Sequence, residues 1–121
     1  MEDNRAEEKE ALGALVEYSP KLLKGMQAVI KELEGNRQPD TDEYLKSVIN
    51  GMNWEIQVLN GTMAYLNEDK QLIDKSEANN LFVDFGNAYQ EKNDAKIAAQ
   101  LEEKLIPFFT KLEEIAKTKM S

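Results

Sequence analysis

Residues 40–66 of this chain read DTDEYLKSVINGMNWEIQVLNGTMAYL, and this stretch decides the fold class. It contains the only tryptophan of the sequence, and after Lys46 it carries a single charged residue, Glu55. Charged residues make up 31% of the whole chain, so a long segment with so few charges is expected to be packed against other elements. We therefore expect residues 40–66 to form the element against which all the others pack.

The apolar residues of this stretch recur in steps of three and four, which is the spacing of one face of a helix. Asp40 is a suitable N-cap, and Glu43 three residues later completes a variant of the capping box. The spacing predicts a helix over residues 41–66. Its inner face is expected to contain Leu45, Val48, Ile49, Met52, Ile56, Leu59, Met63 and Leu66.

An alternative for the same stretch is a three-stranded meander. Asn50-Gly51 and Asn60-Gly61 are both strong hairpin-turn signals, and they would separate strands at 44–49, 52–59 and 62–66. Only the middle strand alternates strictly between apolar and polar residues, whereas the helical spacing accounts for every apolar position. The helix is therefore favoured over the meander.

In a helix, the remaining residues of the stretch form two further rows. One row places the small residues Ser47, Gly51 and Gly61 around Trp54, where a neighbour could approach closely. A lone tryptophan in such a setting is more often a core anchor than an exposed stacking surface, so we expect Trp54 to be buried. The other row is made of amides. The candidate interaction residues are Asn50, Asn53, Trp54, Gln57 and Asn60.

Three other amphipathic segments flank this stretch. The first, at about residues 3–33, keeps its apolar register across Pro20, and the last, at about 95–117, does so across Pro107. A shorter segment begins after a cap at Asp74 or Ser76 and ends near Lys92, with Asn93 as a left-handed stop and Asp94 as the next cap. The connections between these segments are short, which suits antiparallel neighbours.

We predict one all-α domain over residues 1–121, an antiparallel up-and-down four-helix bundle whose first and fourth helices are kinked at proline. A five-residue apolar-aromatic set on the last three helices could border an apolar cavity: Trp54, Phe82, Phe85, Phe108 and Phe109.

The composition excludes much chemistry. The sequence has no histidine and no cysteine, so the commonest general base, the commonest transition-metal ligand and every thiolate site are missing. Adjacent glutamates at 102–103 and 113–114 point about 100° apart on a helix and are expected to be solvated. We therefore expect no catalytic residue, no metal and no cofactor.

Charge and hydropathy narrow the expected partners and location. The net charge of -8 argues against nucleic acid and against an anionic membrane surface. The acidic start MEDNRAEEKE lacks the apolar core of a signal peptide, and no apolar run reaches the length of a membrane span. A cytoplasmic protein is expected.

The segment NDAKIAAQLEEKLIPFFTKLEEI resembles the C-terminal signature of an uncharacterised family of small helical bundles from Gram-positive bacteria. The stretch at residues 49–62, INGMNWEIQVLNGT, is similar to a helical Gly-x-x-Trp segment of such proteins. The resemblance implies a helical fold and a bacterial cytoplasmic setting, and it implies no activity. The residues that carry the first similarity are Asp94, Leu101, Glu102, Leu105, Ile106, Pro107 and Leu112.

These observations lead to a first hypothesis of a non-enzymatic protein-interaction module, an adaptor or chaperone-like acidic bundle that binds another protein. Self-association through residual apolar surface is a further possibility for the partner. The alternative hypothesis, from a different class, is a bundle that binds a small ligand in the apolar cavity defined above.

Overall fold

A computed structural model describes residues 5–120 of the chain. No strand occurs in this range, so the all-α fold is confirmed and the alternative of a β-meander between the two Asn-Gly pairs is wrong. The predicted start of the first helix at Asp3 lies outside the described residues. The helices are α1 (Arg5–Leu33), α2 (Thr41–Leu66), α3 (Lys75–Gln90), α4 (Asp94–Gln100) and α5 (Ile106–Met120), and a π-helical turn (Leu101–Leu105) joins the last two without a break.

The helix that contacts most of the others is α1 rather than α2. It packs against α2 on one side and α5 on the other, and it also meets α4 and the π turn. α2 makes only a small contact with α5, and within the described chain no Cα atom of α2 lies within 8 Å of one in α3. The expectation that residues 40–66 contact nearly every element is therefore wrong, because a low charge density does not distinguish a buried face from an uncharged exposed one.

The buried side chains form one core along the α1 axis. α1 supplies four apolar residues with no exposed surface, and the C-terminal helices supply another four. These eight side chains are Leu12, Leu15, Met26, Val29, Leu101, Leu105, Phe109 and Ala116. Since α1 contributes to the core from two sides, it takes the position that the sequence assigned to α2.

α1 and α2 run in opposite directions. Tyr18 on α1 contacts Trp54 on α2, and further along α1 Gly25 lies against Val48, which comes earlier in α2. In each contacting pair the α1 and α2 residue numbers add up to about 72, as expected for antiparallel helices. Each level of α1 can thus be matched with a level of α2.

The helices remain continuous through both internal prolines. α1 is helical before and after Pro20, and the C-terminal helices are continuous through Pro107. A π-helical turn lies directly before Pro107, where the N–H of Ile106 donates to the carbonyl of Leu101, five residues earlier. Proline cannot donate a backbone hydrogen bond, so the helix ladder must change near it, and here the change is a wider turn. The sequence predicted the continuous helix but not the π turn.

The start of α2 is not capped as predicted. The side chain of Asp40 makes no capping hydrogen bond, and its backbone (φ -103°, ψ 12°) is outside the extended region that N-caps usually adopt. Thr41 takes over the polar contacts instead. Its hydroxyl accepts the N–H of Gln38 at 2.7 Å and donates to Glu32 Oε1 at 2.8 Å, and Thr41 is fully buried.

The α2–α3 connection is held by two side chains. Asn67 Oδ1 accepts the backbone N–H groups of Leu72 at 2.8 Å and Ile73 at 3.1 Å, which folds the loop back so that Ile73 is buried. Asp74 then caps α3, since its carboxylate accepts the N–H groups two and three residues further on. Of the two caps that the sequence allowed here, Asp74 is the one that forms.

The α3–α4 connection is shifted by one residue from the prediction. Lys92, and not Asn93, adopts the left-handed conformation (φ 55°), and Asn93, and not Asp94, caps α4 by accepting the N–H of Lys96 at 3.1 Å. Asp94 has another partner, because Arg37 Nε donates to its Oδ2 at 2.9 Å. The carboxylate that was expected to cap α4 is thereby engaged with the α1–α2 loop.

Candidate functional site

The five candidate interaction residues lie on one exposed face of α2. Their spacing places them on the same side of the helix, and the structure leaves each of them accessible. From residue 47 to the end of α2 the only charged side chain is that of Glu55, which is fully buried. This face, which we call the amide face, extends over about 15 Å of the helix and presents no charge. Its members are Asn50, Asn53, Trp54, Gln57 and Asn60.

Trp54 stands at the centre of the amide face with 38% of its surface exposed, so the expectation that it anchors the core is wrong. Its indole meets the ring of Tyr18 edge to face, with centroids 5.6 Å apart and planes at 85°. This geometry is favourable for two aromatic rings, and it fixes the indole while leaving one side open. The tryptophan therefore lies at the α1–α2 contact beside Tyr18 and remains partly exposed.

Gly51 allows Tyr18 to take this position. A Cβ atom at residue 51 would overlap the Tyr18 hydroxyl and lie 3.2 Å from Leu22 Cδ1. The other two small residues of the same row have no such role, since Ser47 is exposed and a Cβ at Gly61 would have no atom within 4 Å. Close approach around Trp54 was thus predicted correctly at only one of three positions.

The aromatic residues expected to border a common cavity are separated in the structure. Phe82 packs against Phe108 and Phe109, with ring centroids 5.5 and 6.2 Å away, at the contact of α3 with α5. Trp54 instead packs against Tyr18 at the α1–α2 contact. The five rings therefore line no single site. A separate pocket of about 290 Å³ lies between α3 and the C-terminal helices, lined by Leu81, Pro107, Phe108, Lys104 and Lys111 among others.

Glu55 is a notable residue that the sequence analysis did not single out. It has no exposed surface, and its Oε2 lies 3.0 Å from Ser19 Oγ, which in turn lies 2.8 Å from the carbonyl oxygen of Leu15. A hydroxyl has only one proton to donate. Both contacts are fully satisfied when Ser19 donates to Leu15 and a protonated Glu55 donates to Ser19 Oγ.

The electrostatic setting of Glu55 agrees with a protonated carboxyl. Burial raises the pKa of Glu55 to about 7; donation by the Ser19 hydroxyl to the ionised carboxylate, the other direction open to this hydrogen bond, opposes the shift, and the negative charge of Glu113 on α5 adds to it. Glu55 Oε1 is buried and has no hydrogen-bond partner among the described residues. An unpartnered oxygen is more easily tolerated on a neutral acid than on a carboxylate.

The sequence contains a signal that Glu55 is buried. Leu45, Val48, Met52 and Leu59 are all buried, and position 55 continues the same row between the last two. The prediction used the neighbouring Ile56 for this row, but Ile56 is only half-buried. A single charge on the buried row of a charge-poor helix is a candidate for a perturbed pKa.

Two further observations concern the described residues. Between residues 5 and 120 no group of three or more acidic side chains is arranged to hold a metal ion. None of the helices in this range combines the length and hydrophobicity required to cross a bilayer.

Comparison with known proteins identifies the family of the chain. No curated protein and no solved structure matches the chain. The family model of a domain of unknown function, DUF8042, matches residues 10–115. The match spans nearly all of the helical region, including the amide face and Glu55, and it agrees with the expectation of an uncharacterised helical domain. The chain therefore belongs to the DUF8042 family.

Proposed function

We propose that the chain is a non-enzymatic protein-interaction module that binds a partner through the amide face of α2 and the adjoining surface of α1. The partner surface offers apolar groups and hydrogen-bonding groups that match an indole and four amides. The observation that carries the proposal is the exposed Trp54, fixed against Tyr18 on a face without charge.

The composition of this face supports the proposal. The centres of protein interfaces are depleted of charged residues and enriched in aromatic ones, and tryptophan is prominent among the residues that contribute most to binding. Elsewhere the sequence is rich in charge, at 31% of residues. A solvated helix face in such a protein would normally carry lysine and glutamate.

The wider setting belongs to the same proposal. The absence of histidine and cysteine from the sequence supports a role without catalysis, and the net charge of -8 supports a partner other than nucleic acid or an anionic membrane. The lack of cysteine also fits a cytoplasmic location. The resemblance of residues 94–112 and 49–62 supports a bacterial, Gram-positive origin.

The proposal is tested by capture from a lysate of the source organism with three immobilised proteins. These are the wild type, Trp54→Lys, and Val83→Lys, the last being a control at an exposed apolar residue of α3. We expect a stoichiometric partner on the wild type and on the Val83 variant but not on the Trp54 variant. Capture that is equal on all three would place the binding surface elsewhere and overturn the proposal.

A small-ligand function has one supporting observation, the pocket of about 290 Å³ between α3 and the C-terminal helices. Its lining combines apolar residues such as Leu81 and Phe108 with charged residues of both signs, which suits a small amphipathic ligand. The charged residues are Asp74, Glu77, Glu103, Lys104 and Lys111. Thermal unfolding with a series of medium-chain fatty acids tests this alternative. A rise in Tm that Leu81→Trp abolishes would support it, and an unchanged Tm across the series would count against it.

A further inference from the structure

The surface that flanks Trp54 has a charge pattern that is complementary to itself. Two depressions lie along the contact between α1 and α2, one on each side of the Tyr18–Trp54 pair. The first, of about 400 Å³, has Glu7 and Glu8 at its edge, and the second, of about 360 Å³, has Lys21 and Lys24. Within the described chain none of these four side chains forms an ion pair, so their charges are available to a partner.

We propose that the partner at this face is a second copy of the same chain, bound about a twofold axis with the two α1 helices antiparallel. This inference rests on the proposed function, because it uses the same surface. In a twofold contact, one patch serves both subunits and each residue pair occurs twice. The acidic end of each face then lies against the basic end of the other.

The position of the axis follows from the charges. The midpoint between the acidic pair and the basic pair falls near residue 15 of α1, beside the exposed Ala14. The two ends of the pattern are about 22 Å apart along the helix, which is a span that a second α1 can match residue for residue. Ala14 has a small side chain, so the two helices can approach each other at the axis.

The same axis gives each Trp54 a place to bind. Trp54 lies at the level of residue 18 in α1, about 5 Å from the axis, so the twofold rotation moves it to the level of residues 11–12 of the other copy. That level is the floor of the first depression, where Ala11 lies opposite Gly61. A Cβ atom at Gly61 would meet nothing within 4 Å, so there is room above the floor for an indole.

Charge complementarity thus places the indole of Trp54 over the depression between Ala11 and Gly61 of the other copy. The two requirements are independent, since one comes from Glu7, Glu8, Lys21 and Lys24 and the other from Trp54 and small residues. The net charge of -8 on each copy opposes association at long range, and salt would weaken this repulsion and the local ion pairs together. Charge reversal is therefore a sharper test than salt.

The test uses two double variants, measured by sedimentation velocity from low-micromolar to submillimolar concentration. Glu7→Lys with Glu8→Lys makes both ends of the face basic, and Lys21→Glu with Lys24→Glu makes both ends acidic. We expect the wild type to form a dimer and each variant alone to lose about tenfold or more in affinity. An equimolar mixture of the two variants should associate again, because every basic end then meets an acidic end.

A matched control carries the same charge change on another surface, Glu102→Lys with Glu103→Lys, at two exposed residues of the π turn. This variant should dimerise like the wild type, and far-UV circular dichroism should show that all variants remain folded. A wild type that stays monomeric throughout, or variants that fail to recover on mixing, would overturn the inference. A monomeric wild type that still captures a Trp54-dependent partner would leave the proposed function standing and remove only the second copy.

Discussion

Replacing Glu55 by glutamine should remove a large pH-dependent penalty on folding. Glu55 is fully buried between α1 and α5, and the charge that acts on it, that of Glu113, is also negative. Glutamine has nearly the same shape, cannot ionise, and can donate from its amide nitrogen to Ser19 Oγ as the protonated acid does. The substitution therefore removes the ionisation and leaves the packing and the hydrogen bond in place.

The sign and size of the effect follow from the raised pKa. Below the ordinary pKa of 4.5, Glu55 is protonated in both the folded and the unfolded chain, and the two proteins should be about equally stable. Between pH 4.5 and about 7 the unfolded chain releases the proton while the folded protein retains it, so wild-type stability falls by about 1.4 kcal/mol per pH unit. Above about pH 7 both states are ionised, and the loss reaches its full value of about 3 kcal/mol.

Urea unfolding followed by circular dichroism, repeated at intervals from about pH 4.5 to pH 8, measures this difference. The advantage of Glu55→Gln over the wild type should grow from near zero to about 3 kcal/mol, or about 10 °C in Tm. The control is Glu17→Gln on the exposed side of α1, which removes a carboxyl outside the core and should not reproduce this gain. A Glu55→Gln advantage that is constant across the range would show that the carboxyl titrates normally, and the reasoning would fail.

Five further substitutions, two of them controls, test the packing and the caps by equilibrium unfolding. Gly61→Ala should stabilise the protein by about 0.5–1 kcal/mol, because the methyl group enters open space in a helix interior, whereas Gly51→Ala, which displaces a tyrosine, should show no such gain. Phe109→Ala should cost about 3–5 kcal/mol, since the ring is fully buried, and a loss below 1 kcal/mol would mean that the site is not packed. Asp74→Ala should cost about 1 kcal/mol, while Asp40→Ala, whose side chain forms no cap, should cost much less; equal losses would contradict the assignment of the caps.

The sequence was sufficient to predict where the long helices lie. The bounds of α2 were predicted to the residue because its apolar positions keep helical spacing from Leu45 to Leu66, and this long period outweighed two local turn signals at the Asn-Gly pairs. Local preferences of one or two residues are weaker than the burial of a whole helix face. The same principle explains why the helices continue through Pro20 and Pro107.

The helix that packs against each helix face was harder to predict from the sequence. Periodicity shows which residues share a side of a helix, but not whether another helix covers that side. The row containing Trp54 was expected to be buried because it is uncharged, yet Trp54 packs edge to face on Tyr18 and keeps 38% of its surface exposed. Glu55 was not singled out, because the inner face of the helix was fitted to apolar residues alone and used the neighbouring Ile56.

The buried acid and the exposed tryptophan are consecutive residues of α2, and they are met by consecutive residues of α1. Ser19 contacts Glu55 in the core, and Tyr18 contacts Trp54 at the surface. The Ser19 hydroxyl also donates to the carbonyl of Leu15, next to Val16, whose carbonyl loses its regular helical donor at Pro20. One turn of α1 therefore supplies both the hydroxyl that meets the buried acid and the ring that meets the exposed tryptophan.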